Sequence, residues 1–177
     1  LPYSRLDGTD YFPDTYLGRL SVDTLQQARD VVDKIIAYEQ NPPANAAFYT
    51  DTSLVCLYED DTPVAGATQG NGTEDVTFRI IEFAEAIRAY LLGEGYNAAR
   101  IYSRSGNWAQ GPQRYEDGTA IPVALTLAGN PGAGIPGFPW TGGTADIQAA
   151  INAGNFIITY NGHGNRTGWS QPSFRSA

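Results

Sequence analysis

Phe156-Ile157-Ile158-Thr159-Tyr160-Asn161-Gly162-His163-Gly164 decides how this chain is read. An apolar run of β-formers ends at the only histidine, and a glycine stands on each side of it. Such a run predicts a buried strand over 156–160, followed by a tight turn that presents an imidazole at the strand's end. In open α/β sheets, ligands bind at the carboxyl ends of strands. Histidine is the side chain whose unperturbed pKa lies near neutrality, which suits proton exchange. His163 is therefore the first candidate for chemistry.

Working back from that strand, a short helix is expected over 145–153, capped by Thr144, with Asp146 in its first turn and Gly154 just past its end. Before it lies an irregular stretch, 105–140, rich in glycine and proline. Its aromatic residues Trp108, Tyr115, Phe138 and Trp140 either line a groove or pin the loop, and 121–127 is a further candidate strand. Residues 99–102 read as a strand. A helix over 75–92 precedes it, with a stripe of Ile80, Phe83, Ala84, Ile87 and Leu91. Ser53-Leu54-Val55-Cys56-Leu57-Tyr58 has the continuous apolar character of a central strand. Strand, helix, strand implies a right-handed crossover and parallel pairing.

Two residues of that central strand bear on function. Cys56 lies mid-strand, where a cysteine is ordinarily a small buried hydrophobe. A reactive thiol wants an exposed, electropositive setting, and the nearest charges are Glu59, Asp60 and Asp61. Glu59 sits at the strand's end, on the same sheet edge as His163 if the two strands run parallel; the alternative is a solvated loop carboxylate. Further back, Leu25, Ala28, Val32, Ile35 and Ile36 repeat at helical spacing, with Ser21 or Asp23 as the cap, Gln26 completing a capping box and Asn41-Pro42-Pro43 as the stop. Thr15 to Leu17 read as a short strand.

The totals set bounds. The chain has 177 residues, 42% hydrophobic and 17% charged, which suits one domain with a real core. A net charge of −8 with dispersed basic residues argues against nucleic acid. No run reaches the length of a membrane span, and no signal-peptide pattern opens the chain. Methionine is absent, so the chain reads as an excised or processed piece of something longer. One cysteine makes no internal disulfide, and one histidine with one buried cysteine makes no zinc site. Asp7, Asp10 and Asp14 lack the spacing of a calcium loop and read as solvated turn carboxylates. The triplets Asn71-Gly72-Thr73 and Asn165-Arg166-Thr167 fit a glycosylation acceptor, a pattern common by chance.

Several of these segments together resemble a known family. Pro13-Asp14-Thr15-Tyr16-Leu17-Gly18-Arg19-Leu20-Ser21 is similar to the segment by which gingipain-type cysteine peptidases lead into their caspase-like domain. The helix through Lys34-Ile35-Ile36-Ala37-Tyr38-Glu39 is similar as well. Thr159-Tyr160-Asn161-Gly162-His163-Gly164, followed by Thr167 and Trp169, looks like the family's catalytic-histidine segment. The resemblance implies a three-layer α/β/α sandwich with a mostly parallel, caspase-like sheet. Residues 1–20 would lead in from a preceding subdomain, and 21–177 would form the catalytic subdomain. It implies peptide-bond hydrolysis by a Cys–His pair, with His163 as the catalytic histidine. Gly164 N–H would be an oxyanion-hole donor, and Glu59 the carboxylate that orients the imidazole.

The resemblance also implies a peptide or protein substrate and a secreted or cell-surface location. It requires no cofactor; calcium as a structural ion fits the acidic loops, with no ligands assigned. The family's nucleophilic cysteine follows the histidine by some tens of residues, on the next strand. This chain ends before it, so a downstream segment or a second chain of the same precursor is expected to supply it, and this chain alone is expected to be inactive. The alternative is a non-catalytic caspase-like module that binds peptides or proteins. A serine hydrolase ranks last, because no Gly-x-Ser-x-Gly elbow occurs.

Overall fold

A computed structural model describes residues 18–59, 80–105, 111–115 and 119–175. The expected strand at 15–17, Asp7, Asp10, Asp14, Trp108 and the triplet at 71–73 lie outside the described residues. The chain forms two compact units, Leu1–Ala44 and Asn45–Ala177.

In the first unit, α1 spans Leu25–Gln40. Its cap is Thr24, one position beyond the expected Asp23. The Thr24 hydroxyl accepts from Gln27 N–H at 3.2 Å, and the Gln27 side chain accepts from Thr24 N–H at 3.1 Å. Gln26 faces the next turn and donates to Asp30 at 2.8 Å. The stop is as expected: Asn41 N–H closes on Ala37 O ahead of the two prolines.

The second unit is built on a three-stranded parallel sheet in the order β2-β1-β3. β1 (Asp51–Tyr58) lies in the middle, β2 (Asn97–Arg104) on one side and β3 (Ile157–Asn161) on the other. Residues 52–58 of β1 are all buried. A strand covered on both faces has no solvent side, hence the unbroken apolar run Leu54–Tyr58, with Thr52 and Ser53 buried ahead of it. Its side chains alternate between two helix layers. Leu54, Cys56 and Tyr58 pack with Ile80, Ile81 and Ala84 of α2 (Ile80–Gly93). Val55 packs on the other face with Ile101 and with Ile147 of α3 (Thr144–Ala153). Helix, sheet and helix make the three-layer α/β architecture expected from the sequence.

Four local expectations are corrected. Phe83 is 59% exposed, and Ile81 takes the buried place, because Ile80, Ile81 and Ala84 share the inward stripe while Phe83 falls on its flank. The stretch 121–127 makes no strand but a 3₁₀ turn, Val123–Leu125, entered through Pro122, which has no N–H for a ladder. α3 is capped by Gly143, whose N–H donates to Asp146 Oδ2 at 2.9 Å; the Thr144 hydroxyl donates instead to Ser173 O. β3 is half-buried rather than buried: Ile157 is 41% exposed, and the strand's outer edge pairs with no other strand among the described residues.

The described part of the irregular stretch is pinned through three of its aromatic residues, one of which, Phe138, also lines a cavity. Tyr115 and Phe138 pack against the α2-side core, and Trp140 lies within it. Trp140 holds a positive φ of 56°, unusual for a bulky residue. Its indole N–H donates to Leu125 O at 2.7 Å, and its ring meets Tyr58, Tyr102 and Phe138 edge-on or tilted. Thr141 then bridges to Ser103, closing part of the β2 edge.

Candidate active site

Parallel pairing puts the ends of all three strands on one side of the sheet. The register places Cys56 opposite Asn161, so β1 and β3 finish nearly level. Glu59 follows β1 directly, and His163 lies two residues past β3. Their side chains meet: His163 Nε2 stands 2.7 Å from Glu59 Oε2. The imidazole side chain is 51% exposed and the carboxylate 25%. An exposed pair of this kind contributes at most about 1 kcal/mol to stability. Its physical value is orientation, since a carboxylate on Nε2 fixes the ring's plane and favours the tautomer with the proton on Nε2. Nδ1 is then the basic nitrogen.

Gly164 opens β4 (Gly164–Asn165), the first strand of a small antiparallel meander with β5 (Gly168–Trp169) and β6 (Phe174–Arg175). The fold itself does not require glycine at 164. Its φ is not positive, and a Cβ there would meet only Gly168 O, at an ordinary 3.5 Å. A glycine that the protein does not need for its own packing suits close approach of something else to the backbone.

Cys56 is kept apart from this edge. It is 1% exposed and sits inside the cluster beneath α2, with Leu54, Ile81 and Ala84. Two cavities among the described residues also lie elsewhere. One of about 240 Å³ flanks β2 between Arg100 and Asp146, and one of about 410 Å³ lies at the strands' opposite ends, around Ser53, Asn97 and Ala153. Among the described residues no three His, Cys, Asp or Glu side chains form a metal-binding group, and no helix is long and apolar enough to cross a membrane.

One feature beside the histidine was not visible from residue types alone. Tyr160 folds back over Gly162, and its hydroxyl donates to His163 O at 2.5 Å. Trp169 was placed near the histidine by the sequence; it stacks flat on Tyr160, with ring centroids 4.3 Å apart and planes 1° from parallel. The usable signal was a tyrosine three residues before the histidine with a glycine between them.

No curated protein and no solved structure gave a significant match. One family does match, Peptidase family C25, over residues 1–176, which takes in every element described above. With coverage of essentially the whole sequence, the chain belongs to peptidase family C25, the gingipain family of cysteine peptidases.

Proposed function

We propose that this chain is the histidine-bearing part of a gingipain-like cysteine endopeptidase, with His163 as proton acceptor and donor, Glu59 as its orienting carboxylate and Gly164 N–H as an oxyanion donor. The observation that carries the reading is the 2.7 Å contact between Glu59 and His163, two residues 104 positions apart. Family membership supplies the reaction class.

In this scheme a thiol gives its proton to His163 Nδ1 as its sulfur bonds to the scissile carbonyl carbon. The carbonyl π pair moves onto oxygen, where Gly164 N–H meets the developing charge. The carbon–nitrogen bond then breaks, and the imidazolium returns the proton to the leaving amine. Water, activated by the same imidazole, hydrolyses the thioester and restores the thiol. Cys56 is not that thiol: its side chain is 1% exposed and sealed under α2, away from any substrate. The nucleophile belongs to polypeptide outside these residues, a further segment or a second chain of the same precursor.

The test is a peptidyl electrophile that alkylates active-site thiols, applied to the complete peptidase and followed by peptide mapping. Label is expected on a cysteine other than Cys56. His163→Ala should abolish both labelling and hydrolysis, at a cost of about 10²–10⁴-fold or more. Glu59→Gln should cost less, because it orients the ring and transfers no proton. Full turnover by His163→Ala sinks the assignment, and a folded protein that takes no label and cleaves nothing points to a peptide-binding module instead.

A further inference from the structure

The carbonyl oxygen of His163 is gripped from two sides. The Tyr160 hydroxyl donates to it at 2.5 Å, and Ser170 N–H donates at 2.8 Å. Neither donor acts on the imidazole. Both act on the peptide plane that joins His163 to Gly164. That plane is trans and rigid, so its C=O and its N–H point in opposite directions. Holding the oxygen of His163 therefore aims the N–H of Gly164.

The grip is itself well supported. A Cβ at residue 162 would stand 2.8 Å from the Tyr160 hydroxyl and 3.1 Å from its ring carbon Cζ, so Gly162 leaves room for the phenol to lie across the turn. Trp169 stacks on the Tyr160 ring, and Phe174 packs behind Trp169 at 5.3 Å. The residue after Trp169 is Ser170, so the strand that backs the phenol also delivers the second donor. Burial raises the Tyr160 phenol above its ordinary range, which keeps the hydroxyl a donor. Two donors on one carbonyl also polarise its peptide unit and strengthen the N–H on the far side.

We infer that Tyr160 is a positioning residue for the hydrolysis: with Ser170 N–H it orients the His163–Gly164 peptide so that Gly164 N–H points at the oxygen on which charge develops. This rests on the peptidase reading above. A tyrosine that merely pinned the meander would loosen substrate and transition state alike when altered. A tyrosine that aims an oxyanion donor acts on the transition state alone.

The experiment is Tyr160→Phe in the complete peptidase, a change that keeps the ring and its stack and removes one oxygen. Three quantities are read: kcat and KM on a peptide substrate, the affinity of a matching peptide aldehyde, and the affinity of the matching non-reacting peptide amide. The aldehyde captures the thiol as a tetrahedral adduct: its carbon bonds sulfur, its π pair moves to oxygen, and the imidazole takes the thiol proton. We expect kcat to fall about tenfold with KM unchanged, short of the roughly 10²–10³-fold loss on removing an oxyanion donor outright. Aldehyde affinity should fall by the same factor while amide affinity holds. Gly162→Ala, which displaces the hydroxyl without removing it, should give the same split and serves if Tyr160→Phe does not fold. Unchanged kcat and aldehyde affinity, or equal weakening of aldehyde and amide, overturns the inference. If His163→Ala abolishes turnover while Tyr160→Phe spares it, the positioning role alone falls. If His163→Ala keeps turnover, the peptidase reading falls with it.

Discussion

Gly164 is the position where the demands of the fold and those of the proposed chemistry can be told apart. At 164, glycine is not forced by the backbone or by neighbouring atoms, as a Cβ would make only ordinary contact. Replacing glycine by alanine at a compatible φ stabilises a protein by about 0.4–1 kcal/mol, through the unfolded chain. Gly164→Ala is therefore expected to melt at the same temperature or slightly higher, and yet to lose kcat/KM because a methyl group obstructs the approaching carbonyl. Thermal melts beside steady-state kinetics check this; a variant as active as the parent would remove Gly164 from the site. His163 was legible in the sequence because a rare ionisable residue followed a strand and lay between glycines. Glu59 was legible only through the strand before it, since nothing local separates it from the acidic residues that follow. The tie from Tyr160 to the carbonyl of His163 was not legible, because it depends on a ring folding over a bare Cα.

Among the elements, α2 and β2 are joined by a half-buried polar cluster. Arg100 forks onto Glu85 at 2.8 and 2.6 Å, Tyr102 donates to Glu85 at 2.8 Å, and Arg88 Nε donates to Ala98 O at 2.8 Å. Burial opposes the charge on Glu85, but the hydrogen bonds from Arg100 and Tyr102 and the charges of Arg100 and Arg88 outweigh it, so its carboxyl titrates below the ordinary range. Burial likewise raises the Tyr102 phenol, which stays a donor. The stabilisation from Glu85 is then complete above its unfolded value of 4.5 and is lost as pH falls through the lowered folded value. Melting curves from pH 3 to 7 should show Glu85→Gln less stable at neutrality and flatter below about pH 4.5 than the parent. Parallel slopes for the two proteins would contradict that account. Such a cluster was hidden from sequence reading: Glu85 and Arg100 look like solvated charges until the helix is docked on the strand. The helices and the three strands of the parallel sheet were legible from apolar spacing, whereas the strand expected at 121–127 is a 3₁₀ turn and the β4–β6 meander left no apolar pattern to read; helix starts slipped where one side chain outcompeted another for a cap.

At the scale of the whole molecule, burial is concentrated on β1, where residues 52–58 are covered from both faces. The amides of β1 should define the slowest class in hydrogen exchange, and those of β3, whose outer edge pairs with no other strand among the described residues, should exchange sooner. Equal protection in the two strands would show that the β3 edge is covered in solution. Family and layer architecture could be read from the order of the motifs, whereas the pinned path of the irregular stretch could not, because a tryptophan at positive φ and its indole bond leave no periodic trace. The contact between Glu59 and His163 joins residues 104 positions apart, and this separation gives the site a clock. A ribosome adding about 5–20 residues each second delivers the histidine roughly 5–20 s after the glutamate. Until β3 has emerged and docked beside β1, the nascent chain holds the carboxylate without its imidazole, so on the peptidase reading proposed above a chain still being made has its proton-transfer pair unassembled.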